Sequence, residues 1–416
     1  MELQREAGDA LSYRWVVLGV STAVNSLAWA VRSTFALFYV EMLRELGWGR
    51  GATALGYSLS WLGFLVLAPA AGWLSDRWGV RVVVIIGGAL LGAALALTGQ
   101  VASVGQYYLW FGALGAAGIA GMLIPSTAIV SRWFVRSRGT AMGILSAGGP
   151  GSAIVFYPVV AWLIAALGWR AAFVAFGAIV TAATIALALL YRDPPATVEG
   201  RGSAASSGPH GRVPTRVDWT LRGALRSAQL WAAFCMTVLG VVGFQIMATH
   251  QVAHAVDRGF EVTLVVRLFS LAAGSMAAGN LLGGWLSDRL GRDWVFAIGT
   301  AVAIAGIACL AAVRGPADVA LLVLYAASGF GFGMRIAQLA AIPADVFAGR
   351  HLGVLLGIVQ GGGGLGGAIG PFLGGWIYDV TGSYTLAFAA ACAAVAGSAV
   401  AAWLAVRPGR RAARSG

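Results

Sequence analysis

The chain has 416 residues, 59% of them hydrophobic and only 11% charged, with a mean hydropathy of +0.81 and a formal net charge of +12. Soluble domains carry roughly 25% charged residues, so a water-solvated fold is excluded and lipid is the implied solvent. The positive balance does not indicate nucleic acid, because all 28 basic residues are arginines that follow a topological pattern.

The apolar stretches reach ~20 residues or more without period-two alternation, which selects an all-α membrane protein over a β-barrel. Twelve transmembrane helices are predicted, at 15–40, 52–75, 80–100, 105–131, 139–165, 169–191, 228–256, 263–286, 294–314, 317–343, 351–378 and 383–406. Fourteen mixed polar residues precede the first span and no small-residue cleavage site follows it, so it is not read as a signal peptide. It contains Asn25 and, seven residues on, Arg32.

Between the second and third spans stands GWLSDRWGVR (72–81), which returns as GWLSDRLGRD (284–293) between the eighth and ninth. Seven of the ten positions are identical and the copies lie 212 residues apart, so each half carries one. This duplication implies two pseudo-symmetric six-helix bundles, the arrangement alternating access needs. Gly72 and Gly284 permit close helix approach, and Asp76 and Asp288, next to Arg77 and Arg289, can pair with arginines and helix N-termini. These six residues are read as a gating and structural element, not a substrate site.

The fifth span holds Tyr157 beside Pro158. The longest polar stretch, 192–227, contains DPP, GSAASSGPHG and six arginines, and includes His210. It reads as a flexible basic linker between an N-terminal bundle at 1–191 and a C-terminal bundle at 228–416. In the seventh span His250 and His254 share a face, with Asp257 three residues on. No third ligand is evident, so no metal is expected. The tenth span carries Arg335 and Gln338 in GFGFGMRIAQL. In the eleventh, Gln360 precedes glycines at 362, 366, 370 and 374, widened by 363 and 367. This stripe implies close packing and sliding of helices; a phosphate cradle is disfavoured because no Lys-Ser/Thr follows. Cys235, Cys309 and Cys392 fall inside apolar segments and read as packing residues. No nucleophile–base pair, metal set or cofactor motif appears, so an enzyme is not expected.

Twenty arginines would lie on the side of the termini, the duplicated loops and the linker, against six on the other. The asymmetry places both termini in the cytoplasm. The remaining two, Arg32 and Arg335, fall inside spans.

At the duplicated loop the chain resembles the major facilitator superfamily, whose signature loop joins helices 2 and 3 and recurs between helices 8 and 9. Within it the chain looks most like the monocarboxylate transporter branch, with the oxalate/formate exchangers nearby. The residues that carry this are LGWGR (46–50), DRWGVRVVVIIGGAL (76–90), RWFVRSRGTAMGI (132–144), LGWRAAF (167–173), THQVAHAVDRGF (249–260) and GPFLGGWIYDVTGSYTLAF (370–388). The resemblance implies the major facilitator fold.

An ionisable group at membrane depth costs ~2.5–3.5 kcal/mol or more and normally serves a cavity. Arg32 lies about eight residues, roughly 12 Å, from the outer end of its helix. Animal monocarboxylate carriers resemble this chain in having a basic residue followed by Ser there, which implies that Arg32 attracts or gates an anion; a structural partner for carbonyls is the alternative. Arg335 could face the same cavity and grip a carboxylate through two parallel hydrogen bonds, or snorkel inward. The family's substrate-binding arginine, four residues before the motif glycine, is replaced by Asn280, and its acidic neighbour by Met276. His250 matches a cavity-facing family position and is the proton-coupling candidate, with a packing histidine as the alternative. Asn25, Tyr157, Gln338 and Gln360 complete the candidate lining.

The expectation is therefore a secondary transporter of the inner or plasma membrane. It would move a small organic anion, a monocarboxylate first, as a monomer that needs only lipid, substrate and a proton. Proton symport is the favoured coupling, with anion exchange second. An exporter of hydrophobic compounds is the rival within the class, and a non-transporting membrane sensor is the rival outside it.

Overall fold

A computed structural model of the chain describes residues 2–134, 138–193, 219–347 and 352–414. Among them every regular element is helical. The long elements are α1 (Glu2–Leu46), α2 (Arg50–Trp78), α3 (Val80–Thr98) and α4 (Val104–Trp133), the last with a π-helical stretch over Tyr108–Leu114. The helical run Arg138–Ala188 follows, and then α7 (Ala228–Asp257), α8 (Val262–Leu290) and α9 (Arg292–Ala312). The last three are α10 (Val319–Val346), α11 (Leu352–Thr381) and α12 (Thr385–Arg414).

The run Arg138–Ala188 breaks at Gly168, whose φ of 75° and ψ of 159° lie outside the helical region. Its apolar part spans 48 residues, about 72 Å at 1.5 Å per residue, against a hydrocarbon core of about 30 Å. The two pieces, α5 (138–167) and α6 (169–188), are separate crossings. Eleven apolar helical runs thus make the twelve spans read from the sequence.

The chain clusters into two compact units, Met1–Phe35 with Gly63–Gly211, and Ala36–Leu62 with Arg212–Gly416. The boundary cuts through α1 and α2. Residues 36–62, read from the sequence as part of the first bundle, cluster with the second unit.

In the first unit, α3 packs on α4 and on the α5–α6 run. A methyl added to Gly87 would stand 2.7 Å from the Gly121 carbonyl carbon, so α3 and α4 touch backbone to backbone. In the second unit, α10 packs on α8 and α9, and α7 on α11 and α12. The predicted stripe performs the packing role assigned to it. Methyls on Gly362, Gly366, Gly370 and Gly374 would all meet α7, at Val238, the Val238 carbonyl, Gln245 and His250.

The duplicated loop is a single-residue helix break in both copies. Gly79 (φ 82°, ψ 153°) and Gly291 (φ 93°, ψ 147°) hold the same left-handed conformation, 212 residues apart. Each hairpin is tied to a neighbouring helix end by an ion pair of opposite polarity. On α2, Asp76 takes Arg132 of α4 at 2.6 Å; on α9, Arg292 takes Asp345 of α10. Arg77 and Arg289 lie over the rings of Trp73 and Trp285, at 5.6 and 3.9 Å. The side chain of Asp288 is outside the described residues. The motif glycines are not sites of close approach in this structure. A methyl on Gly284 would have nothing within 4 Å, and one on Gly72 only Ile124 at 3.7 Å.

Of the expected linker, 194–218, with His210, is outside the described residues. Its end is ordered. A short helix, Leu221–Leu225, is capped by the Thr220 side chain, and Trp219 Nε1 donates to the Val346 carbonyl of α10 at 3.0 Å. Ala224 and Leu230 join Phe347 in a buried apolar cluster.

Candidate functional site

Unit one builds its polar interior on the middle of α1. Asn25, 8% exposed, donates through Nδ2 to the Leu145 carbonyl of α5 at 2.8 Å. Ser26 Oγ reaches the Gly148 carbonyl at 3.1 Å. These bonds fix the rotation of α1 against α5 and thereby aim the rest of its face. Arg32 is 4% exposed, and its guanidinium lies 5.5 Å from the centre of the Phe64 ring. Tyr157 of α5 is buried. Arg32 therefore sits where a cation is desolvated and electrostatically strong, beside an aromatic face that tolerates it.

Unit two holds the other candidates in separate places. His250 is fully buried; its Nε2 bonds the Pro371 carbonyl of α11 at 2.9 Å, and its Nδ1 has no partner. That bond makes Nε2 the donor, since a carbonyl only accepts, and leaves Nδ1 as the basic nitrogen of the neutral ring. The imidazole stands between Tyr39 and Tyr384, with ring centroids 5.3 and 5.2 Å away. His254 Nε2 is committed to a different helix, at the Leu310 carbonyl, 3.1 Å away. Among the described residues no group of three or more His, Cys, Asp or Glu is placed to hold a metal.

Arg335, 3% exposed, points at α12, α9 and α7. Its Nη2 is 3.5 Å from the Val395 carbonyl of α12 and its guanidinium 4.9 Å from the Phe296 ring of α9. A methyl on Gly240 of α7 would stand 3.5 Å from that same Nη2, and Nε has no acceptor. Gln338 turns instead to α8, with Nε2 3.2 Å from the Gly283 carbonyl. Asn280 is half-buried on α8, where Gly333 of α10 lies close enough that an added methyl would be 2.7 Å from its backbone nitrogen. Gln360 is exposed on α11. Arg335 and Asn280 thus belong to different helix interfaces.

A constellation absent from the sequence-based set surrounds Arg50 at the start of α2, all within unit two. Arg50 Nη2 pairs with Asp257 at 2.6 Å, Nη1 donates to the Tyr384 hydroxyl at 2.6 Å, and the guanidinium covers the Tyr378 ring at 3.8 Å. Tyr384 lies in the turn before α12. The signals were present in LGWGR and GWIYDVTGSY, but each reads alone as a helix end.

The sequence pattern of the Major Facilitator Superfamily matches residues 18–279 and 257–416. Monocarboxylate transporter 13 of Rattus norvegicus is 29% identical over 403 residues, covering 93% of this chain and 87% of that protein. The probable sulfoacetate transporter SauU of Cupriavidus necator is 25% identical over 391 residues and 90% of each chain. Among solved structures, an inward-facing, unoccupied bacterial homolog of the human lysosomal transporter Spinster superposes with a TM-score of 0.73 at 18% identity, over 96% of this chain and 97% of that one. The nucleoside transporter NupG superposes at 0.72 with 15% identity, over 95% and 99%. At these identities the two structures speak for the fold alone. Family and relatives are transporters, not enzymes, and the chain belongs to the Major Facilitator Superfamily, within which it resembles the monocarboxylate transporter branch.

Proposed function

We propose that this transporter moves a small organic anion, a monocarboxylate first, across the cytoplasmic membrane by alternating access. Both termini face the cytoplasm and the monomer is the working unit. The observation that carries the reading is the Arg32 guanidinium, 4% exposed in the middle of α1 beside the Phe64 ring. A cation held at membrane depth is costly to keep, and an anionic substrate is the ligand that repays it. The names of the relatives, monocarboxylate and sulfoacetate transporters, support the same class of cargo.

In this reading Arg32 supplies the charge. Asn280 supplies hydrogen bonds without charge, where the resembling family has an arginine, so a hydroxylated or otherwise polar carboxylate suits it better than a bare one. Arg335 is assigned to packing, because it is turned toward α7, α9 and α12. His250, with a basic nitrogen buried and unengaged, is the group through which a proton would be coupled.

Uptake of a panel of labelled carboxylates into proteoliposomes, with and without an inward acid gradient, tests the proposal. A carboxylate that accumulates and is accelerated by the gradient supports it. Transport of none of the panel, with no member raising the unfolding temperature, removes the anion reading.

A further inference from the structure

The first turn of α2 has backbone N–H groups that its own helix cannot satisfy. A carboxylate from far along the chain takes them. Asp379, near the end of α11, accepts from Arg50 N at 2.8 Å through Oδ1 and from Gly51 N at 2.7 Å through Oδ2. An anion in this position also complements the positive end of the helix dipole. The Arg50 side chain leaves the same turn to meet Asp257, at the end of α7, and the Tyr384 hydroxyl before α12. The Arg50 carbonyl accepts from Tyr39 of α1 at 3.0 Å. Gly375 of α11 makes room for all this, since a methyl there would stand 2.6 Å from that carbonyl oxygen. Farther along α2, Ser58 Oγ accepts from Phe372 N at 3.1 Å.

The backbone N–H, the carbonyl and both terminal guanidinium nitrogens of one residue at a helix start are thus committed, and to four other helices or their ends. Residues 36–62 come from the first sequence repeat, whereas Asp257, Asp379 and Tyr384 come from the second. The ion pairs at the opposite end of α2 and at α9, Asp76–Arg132 and Arg292–Asp345, each stay within one repeat. A carrier that rocks its repeats can keep the latter intact through the cycle but must break the former. The same two tyrosines that grip Arg50 also flank the fully buried His250.

We propose that Arg50, with Asp257, Asp379 and Tyr384, forms a latch that closes the carrier at the end of α2 away from the duplicated loop, and that its release exposes the His250 region to the outside. The Arg50 side chain is 16% exposed and Asp257 38%. This is buried enough for the pair to count and open enough for water to compete once it loosens.

Thiol accessibility in intact cells tests this without reference to any substrate. In a background with Cys235, Cys309 and Cys392 replaced by Ser, Thr249→Cys places a reporter beside His250, at a position 2% exposed. A membrane-impermeant methanethiosulfonate is then added from outside. Labelling is expected to be slow in this background, on the order of tenfold faster in Arg50→Gln and Asp257→Asn, the size of shift that about 1.4 kcal/mol gives, and near the background rate in Arg50→Lys. Unchanged labelling in folded Arg50→Gln and Asp257→Asn overturns the latch. Should those two fail to fold, Asp379→Asn, which leaves the guanidinium contacts in place, decides by the same readout. Failure of all three to fold makes the network architectural and also overturns the proposal.

Discussion

Two guanidiniums lie at membrane depth among the described residues, and their surroundings differ. Arg32 shares a helix face with Asn25, whereas Arg335 is boxed by Phe296, Gly240 and the Val395 carbonyl. Arg32→Gln is expected to cut anion uptake by roughly 10- to 150-fold, the cost of one charged hydrogen bond of about 1.5–3 kcal/mol. Arg32→Lys should recover part of it, and purified protein should keep its unfolding temperature. Arg335→Met is expected to behave oppositely. Replacing a buried ion by an apolar side chain of similar length is often neutral or stabilising, so uptake should persist and the unfolding temperature should hold or rise. Loss of uptake in folded Arg335→Met would return that residue to the site. From the sequence both arginines read alike, because span position is legible but the direction a side chain leaves its helix depends on which neighbours pack there.

At the scale of elements, adjacent glycines on α8 show how local the packing constraint is. A methyl on Gly283 would stand 2.7 Å from the Met334 Cα of α10, whereas one on Gly284 meets nothing within 4 Å. Gly283→Ala forces two backbones apart and is expected to cost about 1–3 kcal/mol, visible as a lower unfolding temperature. Gly284→Ala should leave that temperature unchanged, even though Gly284 is the repeated one. The repeat therefore reports the hairpin, through Gly79 and Gly291 with their left-handed backbones, more than helix contact. The hairpin, the break at Gly168 and the glycine stripe of α11 were legible because each is written in consecutive or periodic residues. The Arg50 cluster was not, since 50, 257, 379 and 384 are scattered and charges at helix ends are ordinary.

At the scale of the whole molecule, the proposed proton coupling requires a group that can change its proton count inside the membrane. Among the described residues no Asp or Glu is buried, which leaves His250 as the candidate for the proposed proton coupling. His250→Gln separates the hydrogen bond His250 makes from the proton transfer proposed for it. The Gln amide can still donate to the Pro371 carbonyl, as Nε2 does at 2.9 Å, but it has no basic nitrogen to replace Nδ1. Net uptake driven by an inward acid gradient is expected to fall to the gradient-free rate, while exchange of internal for external labelled substrate continues near the parental rate. Exchange survives because a loaded carrier returns loaded and needs no proton to reset, whereas net uptake requires the empty carrier to return. If gradient stimulation persists in His250→Gln, the proton travels with the carboxylate of the substrate itself. If exchange is lost along with net uptake, His250 holds the helices together and carries no proton.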